Sequence, residues 1–146
     1  MSTHYRVLHV EDDFADAMLF QHALCEAGAY DYEIIVVRSL HDAAAKLAKR
    51  KFDLVIADLR LPDSRDPNAT VRALQKSAGD TPIVVLTGSA GVDAEQFFEA
   101  GERQDITVLD KNTYFHARSE DRHKALLGKI RGAVAQAEDE GDALIL

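Results

Sequence analysis

The chain has 146 residues, the size of one domain with a full hydrophobic core, and its single cysteine, Cys25, excludes an internal disulfide. Its 17 Lys and Arg residues against 25 Asp and Glu residues give a formal net charge of −8, which disfavours direct binding to nucleic-acid phosphates. No apolar run approaches the roughly 20 residues that span a bilayer, so we expect a cytoplasmic protein without membrane insertion.

Apolar segments of strand length alternate along the chain with segments of helical periodicity. In chain order, the predicted elements are strand 6–10, helix 15–27, strand 33–37, helix 40–49, strand 52–57, a helix from Asn68 or Thr70 to about 78, strand 82–86, helix 92–100, strand 106–109 and a helix over about 119–137. This alternation predicts an α/β fold, in which helices cover both faces of a parallel sheet. No linker or repeat marks a second domain, so we expect one stand-alone domain over residues 1–137 and a solvated acidic tail over residues 138–146.

Charged and polar residues follow four of the predicted strands. They are Glu11, Asp12 and Asp13 after the first strand, Asp58 after the third, Thr87 after the fourth, and Asp110 and Lys111 after the fifth. Because the carboxyl ends of parallel strands meet at one edge of a sheet, we expect these side chains to gather there. Crowded carboxylates repel one another unless a cation joins them, and a set of oxygen ligands suits Mg²⁺. Lys111 and Thr87 can bind phosphoryl oxygens, so the pattern predicts phosphoryl transfer assisted by Mg²⁺.

Four motifs carry a resemblance to a known family. They are Val-Leu-His-Val-Glu-Asp-Asp at 7–13, Phe-Asp-Leu-Val-Ile-Ala-Asp-Leu-Arg-Leu-Pro-Asp at 52–63, Pro-Ile-Val-Val-Leu-Thr-Gly at 82–88, and Lys111. Over about residues 4–136 the chain resembles the receiver domains of bacterial two-component response regulators, which are signalling switches rather than classical enzymes. The resemblance implies a flavodoxin-like, doubly wound (βα)5 fold with a five-stranded parallel sheet in the order 2-1-3-4-5.

The resemblance also implies a role for each matching residue. Asp58 is the expected phosphoacceptor, and Thr87 and Lys111 are expected to sense the phosphoryl group. The expected Mg²⁺ ligands are Glu11, Asp12, Asp58 and the backbone carbonyl of Arg60, with Asp13 as a further candidate. The expected partners are a sensor histidine kinase or phosphotransfer protein, a downstream protein target, and a second copy of the chain bound through the fourth helix, fifth strand and fifth helix.

Two residues near the end of the predicted sheet depart from the family pattern. Val108 replaces the usual aromatic residue three positions before the lysine, and Asn112 replaces the usual proline after it. Because a β-branched side chain is stiff and has no ring to swing, we expect phosphorylation to act on the neighbouring backbone instead. The surface expected to change comprises the loop over residues 88–92, the helix over residues 92–100, the fifth strand and residues 112–115, with Phe97, Phe98, Tyr114 and Phe115 as candidate contacts.

Three alternatives are open at this level. The acids could be helix N-caps without a metal ion. A Mg²⁺-dependent phosphohydrolase with an aspartyl nucleophile would use a second aspartate two residues later, where this chain has Arg60. A receiver fold that only binds a partner would not need the intact set of Asp12, Asp58, Thr87 and Lys111. The histidines show no metal-ligand spacing, and His9 is interpreted as a core histidine with hydrogen-bonded ring nitrogens.

Overall fold

The computed structural model describes residues 4–29, 31–59, 61–63, 66–87, 106–111 and 120–143. In chain order, the elements within these ranges are β1 (Tyr5–Val10), α1 (Phe14–Glu26), β2 (Tyr32–Val37), α2 (Leu40–Lys49), β3 (Leu54–Asp58), α3 (Pro67–Ala78), β4 (Ile83–Thr87), β5 (Ile106–Asp110) and α4 (Glu120–Ala143). Three segments of the surface that is expected to change on phosphorylation lie outside the described residues. They are the helix predicted over residues 92–100 and the segments 88–92 and 112–115.

The five strands form one parallel sheet in the order β2-β1-β3-β4-β5, which confirms the predicted α/β fold and strand order. β1 pairs with β2 on one side and with β3 on the other, so the winding of the chain reverses at β1. Val10 lies opposite Val37 of β2 and Ala57 of β3. The residues that follow Val10 therefore lie beside Asp58, the last residue of β3.

Each face of the sheet has its own hydrophobic core, because alternate residues of a strand point to opposite faces. On one face Val7 packs with Phe20 of α1 and Leu126 of α4. On the other face Leu8 belongs to a cluster that includes Leu74 of α3. Every residue of β3 is buried, as expected for a central strand covered on both sides. Among the described helices, none combines the length and the hydropathy that crossing a bilayer requires.

Several helix boundaries differ from the prediction, and the start of α3 and the end of α4 are the most informative. α3 begins at Pro67, before both predicted starts, because Asp66 caps the helix by accepting the N–H of Asn68 at 3.1 Å and because proline suits a first helical turn. α4 continues to Ala143, past the predicted end at residue 137. Of the residues in this extension, Glu138, Glu140 and Ala143 favour a helix by propensity, whereas Asp139, Gly141 and Asp142 do not. The division into a domain over residues 1–137 and a tail stays a prediction.

His9 is fully buried in β1, and its ring centroid lies 4.6 Å from that of Phe20. The predicted core position is confirmed, but the expected hydrogen bonds are wrong, since neither ring nitrogen has a partner in the part of the chain that the structure describes. Burial, with a smaller contribution from the charge of Lys111, lowers the pKa of His9 to about 3, so the ring is neutral.

Candidate functional site

Lys111, the residue after β5, forms three ion pairs at the carboxyl edge of the sheet. Its Nζ lies 2.9 Å from Oε2 of Glu11, 2.8 Å from Oδ2 of Asp16 and 3.0 Å from Oδ2 of Asp58. The side chain of Lys111 is 5% exposed, against 0% for Glu11, 12% for Asp58 and 21% for Asp16. A lysine ammonium has three N–H donors, so each donor has one carboxylate to face. We refer to these four residues as the Lys111 cluster.

Strand pairing explains how residues so distant in sequence meet. Glu11 directly follows β1, and its N–H donates to the carbonyl of Val37 at 2.8 Å, which continues the pairing with β2. Asp58 ends β3, the neighbour of β1 on the other side. Lys111 follows β5, two strands away from β3, and its long side chain reaches back along the edge of the sheet. Asp16 comes from the first turn of α1.

The loop that follows Asp58 is anchored to α2 through Asp63. The Asp63 carboxylate accepts the backbone N–H groups of Leu40 and His41, at 3.0 Å each. These N–H groups belong to the first turn of a helix and have no partner within the helix itself. Leu61, between Asp58 and Asp63, is buried. The segment that follows Asp58 is thus held in place by the hydrogen bonds of Asp63 and by the burial of Leu61.

The Lys111 cluster is short of positive charge. Its three carboxylates and one ammonium carry a formal net charge of −2. Burial, with repulsion from Asp58, raises the pKa of Glu11 to about 7 in spite of the hydrogen bond from Lys111. Burial opposes the charge of Lys111, but hydrogen bonds to Asp16 and Glu11 and the charge of Asp58 outweigh it, so the pKa of Lys111 is raised. Near neutral pH Lys111 therefore stays charged, and Glu11 is partly protonated.

The two acids next to Glu11 have different surroundings. Asp13 is the N-cap of α1, and its Oδ1 accepts the N–H of Ala15 at 2.9 Å, so the interpretation of the acids as caps is correct for this residue. Asp12 has a side chain that is 47% exposed and lies 3.7 Å from Nη2 of Arg38. The structure therefore brings Glu11 into the Lys111 cluster and leaves Asp12 at its solvent rim.

Two further residues of the predicted site are described in part or not at all. Thr87 is the last residue of β4, and its backbone pairs with that of Asp110 at the end of β5. The Thr87 side chain and all of Arg60 lie outside the described part of the chain. Val108, one of the departures from the family pattern, is partly buried and packs against the core that β3 and β4 form with α2 and α3.

Residues 7–112 match the family model described as the response regulator receiver domain. The chain belongs to this family. The receiver domain is similar to a solved CheY-like receiver domain protein from Methanospirillum hungatei, with a TM-score of 0.72 and 22% identity over 94% of this chain and 99% of the other. A sensor histidine kinase receiver domain from Pseudomonas aeruginosa, solved with a magnesium ion coordinated in its active-site cleft, has a TM-score of 0.62 and 19% identity over 87% and 97% of the two chains. At these identities the likeness shows the fold.

A curated relative of this receiver domain is the transcriptional regulatory protein ZraR of Salmonella typhimurium, which is 29% identical over 121 residues. The match covers 82% of this chain and 26% of the relative. The receiver domain therefore spans about a quarter of the length of that protein. Family membership establishes the kind of domain, a two-component signalling switch. It does not assign the activity of the longer relative to this chain.

The donor atoms of this receiver domain suit a hard divalent cation. Among the residues that the structure describes, no three acidic, histidine or cysteine side chains are arranged to hold a metal ion by themselves. Mg²⁺ does not need such a cage, because it keeps several waters and usually takes one or two carboxylates. The formal charge of −2 in the Lys111 cluster is the charge that one divalent cation would neutralise. The carboxylates and their charge deficit therefore fit Mg²⁺.

Asp16 is the member of the Lys111 cluster that the sequence analysis missed. An acidic residue in the first turn of a helix is common, because it complements the helix dipole, so Asp16 carries no distinctive signal. One signal was available, since side chains on a helix lean towards its N-terminus. A carboxylate one turn after the first strand could therefore have been expected to lean back towards the strand ends.

Proposed function

We propose that this receiver domain is a phosphorylation-controlled switch whose phosphoacceptor is Asp58. The observation that carries the proposal is the contact of 3.0 Å between Oδ2 of Asp58 and Nζ of Lys111. The Asp58 side chain is 12% exposed, so a phosphodonor can reach a carboxylate that the protein has already oriented. Family membership supports the same assignment, because Asp58 lies at the end of β3 within the matched residues.

In the proposed reaction, a carboxylate oxygen of Asp58 attacks the phosphorus atom of a phosphohistidine. The new O–P bond forms as the P–N bond breaks, and the imidazole leaves with that electron pair and takes a proton from water. Lys111 donates hydrogen bonds to the phosphoryl oxygens, and the Thr87 hydroxyl is proposed as a second donor. Hydrolysis of the acyl phosphate by water returns Asp58 to its free carboxylate, and this is the only turnover that we propose.

We propose Mg²⁺ as the cofactor of this switch. Glu11, Asp12, Asp58 and the backbone carbonyl of Arg60 would hold it. When bound, it supplies the positive charge that offsets the negative charge of the carboxylates and the phosphoryl oxygens. The support from this chain is the shortage of positive charge in the Lys111 cluster and the carboxylate oxygens that Glu11, Asp16 and Asp58 contribute to it.

The proposed partners follow from this chemistry. The phosphodonor is a sensor histidine kinase or a phosphotransfer protein, since each presents a phosphohistidine. The recipient of the signal is a downstream protein, or a second copy of the chain bound through the predicted fourth helix, the fifth strand and the predicted fifth helix. A formal charge of −8 disfavours nucleic acid as the direct target, and we place the switch in the cytoplasm.

The experiment is an intact-mass measurement after treatment with acetyl phosphate. We expect one phosphoryl group on the wild-type protein when Mg²⁺ is present and none when a chelator removes it. Asp58→Asn should abolish the gain in mass. Asp42→Asn is a suitable control, because it removes the same charge from an exposed position in the first turn of α2. Equal phosphorylation of Asp58→Asn and wild type would show that another residue is the acceptor.

A further inference from the structure

The three N–H donors of Lys111 are matched by three carboxylates at 2.8–3.0 Å. A phosphoryl oxygen can receive a hydrogen bond from this ammonium only when one of those contacts is given up. The mechanism therefore depends on which of Glu11, Asp16 and Asp58 releases Lys111. The three carboxylates differ in exposure and in their other partners, and these differences indicate which contact is lost at the lowest cost.

Glu11 is a poor candidate for release. Its side chain is 0% exposed, and among the described residues its one other hydrogen-bond partner is the N–H of Asp13, at 3.1 Å from Oε1. Water cannot reach this side chain to replace Lys111, so a charged Glu11 without the ammonium would be strongly destabilised. Asp58 is a different case, because under the proposed function its contact with Lys111 passes to the phosphoryl group that it carries. Lys111 should therefore stay beside Glu11 and Asp58 in the phosphorylated protein, and a further hydrogen bond to the phosphoryl group requires the donor that faces Asp16.

The contact between Asp16 and Lys111 has the properties expected of the one that is released. It is the most exposed of the three carboxylates, at 21%, so water can hydrate it once Lys111 leaves. It comes from a helix rather than from a strand end, and the sheet therefore does not fix its position. Its distance of 2.8 Å from Nζ nevertheless makes it a full partner of Lys111 in the unphosphorylated protein.

We propose that Asp16 is a positioning residue that holds Lys111 in the unphosphorylated protein and competes with the phosphoryl group for its ammonium. The inference rests on the proposed function, since the competition requires a phosphoryl group on Asp58. Asp16 favours the unphosphorylated state and limits how much phosphate the domain accumulates. Asp16 lies in the first turn of α1, where its backbone N–H is 3.4 Å from Oδ1 of the N-cap residue Asp13, so we expect its release to be felt at the start of this helix.

The test compares Asp16→Asn with the wild type at saturating Mg²⁺, with beryllofluoride as the phosphoryl mimic and acetyl phosphate as the donor. We expect the variant to bind beryllofluoride about three- to tenfold more tightly, because it no longer competes through a charge-assisted hydrogen bond. Phosphorylation by acetyl phosphate should accelerate by a similar factor. In the wild type, the carboxyl carbon signal of Asp16 in an NMR spectrum should shift when beryllofluoride is added, which a purely structural role would not produce.

Asp13→Asn is the matched control. It removes the same charge from the same end of α1, and asparagine caps a helix as well as aspartate does. A gain by Asp16→Asn above that of Asp13→Asn supports the competition. If both variants bind beryllofluoride equally while the wild type still gains phosphate on Asp58, the role of Asp16 is wrong and the proposed function stands. If neither the wild type nor Asp16→Asn gains phosphate, both proposals fail together.

Discussion

Glu11 and Lys111 form an ion pair of 2.9 Å in which the side chains are 0% and 5% exposed. The pair does not hold Glu11 fully charged, because burial and the nearby Asp58 raise the pKa of Glu11 to about 7. One ammonium is shared among three carboxylates, so the attraction available to each is smaller than in an isolated pair. This shortage of positive charge underlies the first prediction.

The contribution of Glu11 to the stability of the metal-free domain should fall as the pH rises from about 4.5 to about 7. The folded-state pKa of Glu11 lies above its ordinary value of 4.5, so its contribution is fully present below pH 4.5 and is lost as the pH rises through about 7. A shift of this size corresponds to about 1 to 3 kcal/mol. Urea denaturation at a series of pH values measures it. Glu11→Gln should remove this contribution from the profile, whereas Glu33→Gln, on an exposed side chain, should leave it in place.

His9→Leu should stabilise the domain by about 1 kcal/mol at neutral pH. The substitution removes two buried nitrogens that lack hydrogen-bond partners among the described residues and replaces them with an apolar side chain of similar volume. Thermal and urea denaturation measure the change. Phe20→Leu provides the contrast, because it shrinks an apolar side chain in the same cluster and should destabilise the protein. Destabilisation of His9→Leu by more than 1 kcal/mol would indicate a polar partner for the imidazole.

The same substitution should change the response of stability to acid. The pKa of His9 is lowered from 6.5 to about 3, so its contribution is fully present above pH 6.5 and is lost as the pH falls towards 3. Between pH 4.5 and 6.5 the effects of His9 and Glu11 have opposite signs and partly cancel in the wild type. His9→Leu should therefore be more acid-resistant than the wild type, and Glu11→Gln should expose the acid sensitivity that His9 confers.

Asp12→Ala should weaken Mg²⁺ binding by about tenfold, since it removes a proposed direct or water-bridged ligand. Its pairing with Arg38 is exposed, so the folded state should lose less than about 1 kcal/mol. Titration calorimetry with Mg²⁺, together with thermal denaturation, separates the two effects. Asp42→Asn controls for the change in net charge at a distant helix. An unchanged Mg²⁺ affinity in Asp12→Ala would remove this residue from the ligand set.

Phosphorylation should alter amide exchange over residues 88–115 more than elsewhere. Val108 offers no ring to rotate, and it is packed against the core on the α2–α3 side, so the backbone near the end of β4 has to carry the change. The measurement is hydrogen–deuterium exchange with and without beryllofluoride at saturating Mg²⁺. Under the role proposed for Asp16, a second and smaller change is expected at the start of α1. Changes confined to α1 and the following loop, with residues 88–115 silent, would contradict this prediction.

The strand ends were predictable from the sequence, and the surroundings of each side chain were not. Glu11, Asp58 and Lys111 meet because the carboxyl ends of parallel strands lie at one edge of the sheet. The apolar runs in the sequence indicated where each of these strands ends. Which of the acids after β1 faces Lys111 depends on where α1 begins and how it is rotated. With Asp13 as the cap, the first turn presents Asp16 to the ammonium, and no periodicity in the sequence specifies that rotation. His9 shows the same limit, because a place in a strand does not reveal its neighbours.

The hydrogen bond between Lys111 and Glu11 closes a loop of 100 residues in sequence. Contacts of such long range form late, since their entropic cost falls on a chain that has little structure to offset it. A growing chain has synthesised Glu11 and Asp58 before it reaches β5 and Lys111. Under the proposed function, competence to accept phosphate should thus arise only once β5 has joined the sheet, so that a kinase would leave chains without β5 in place unmodified.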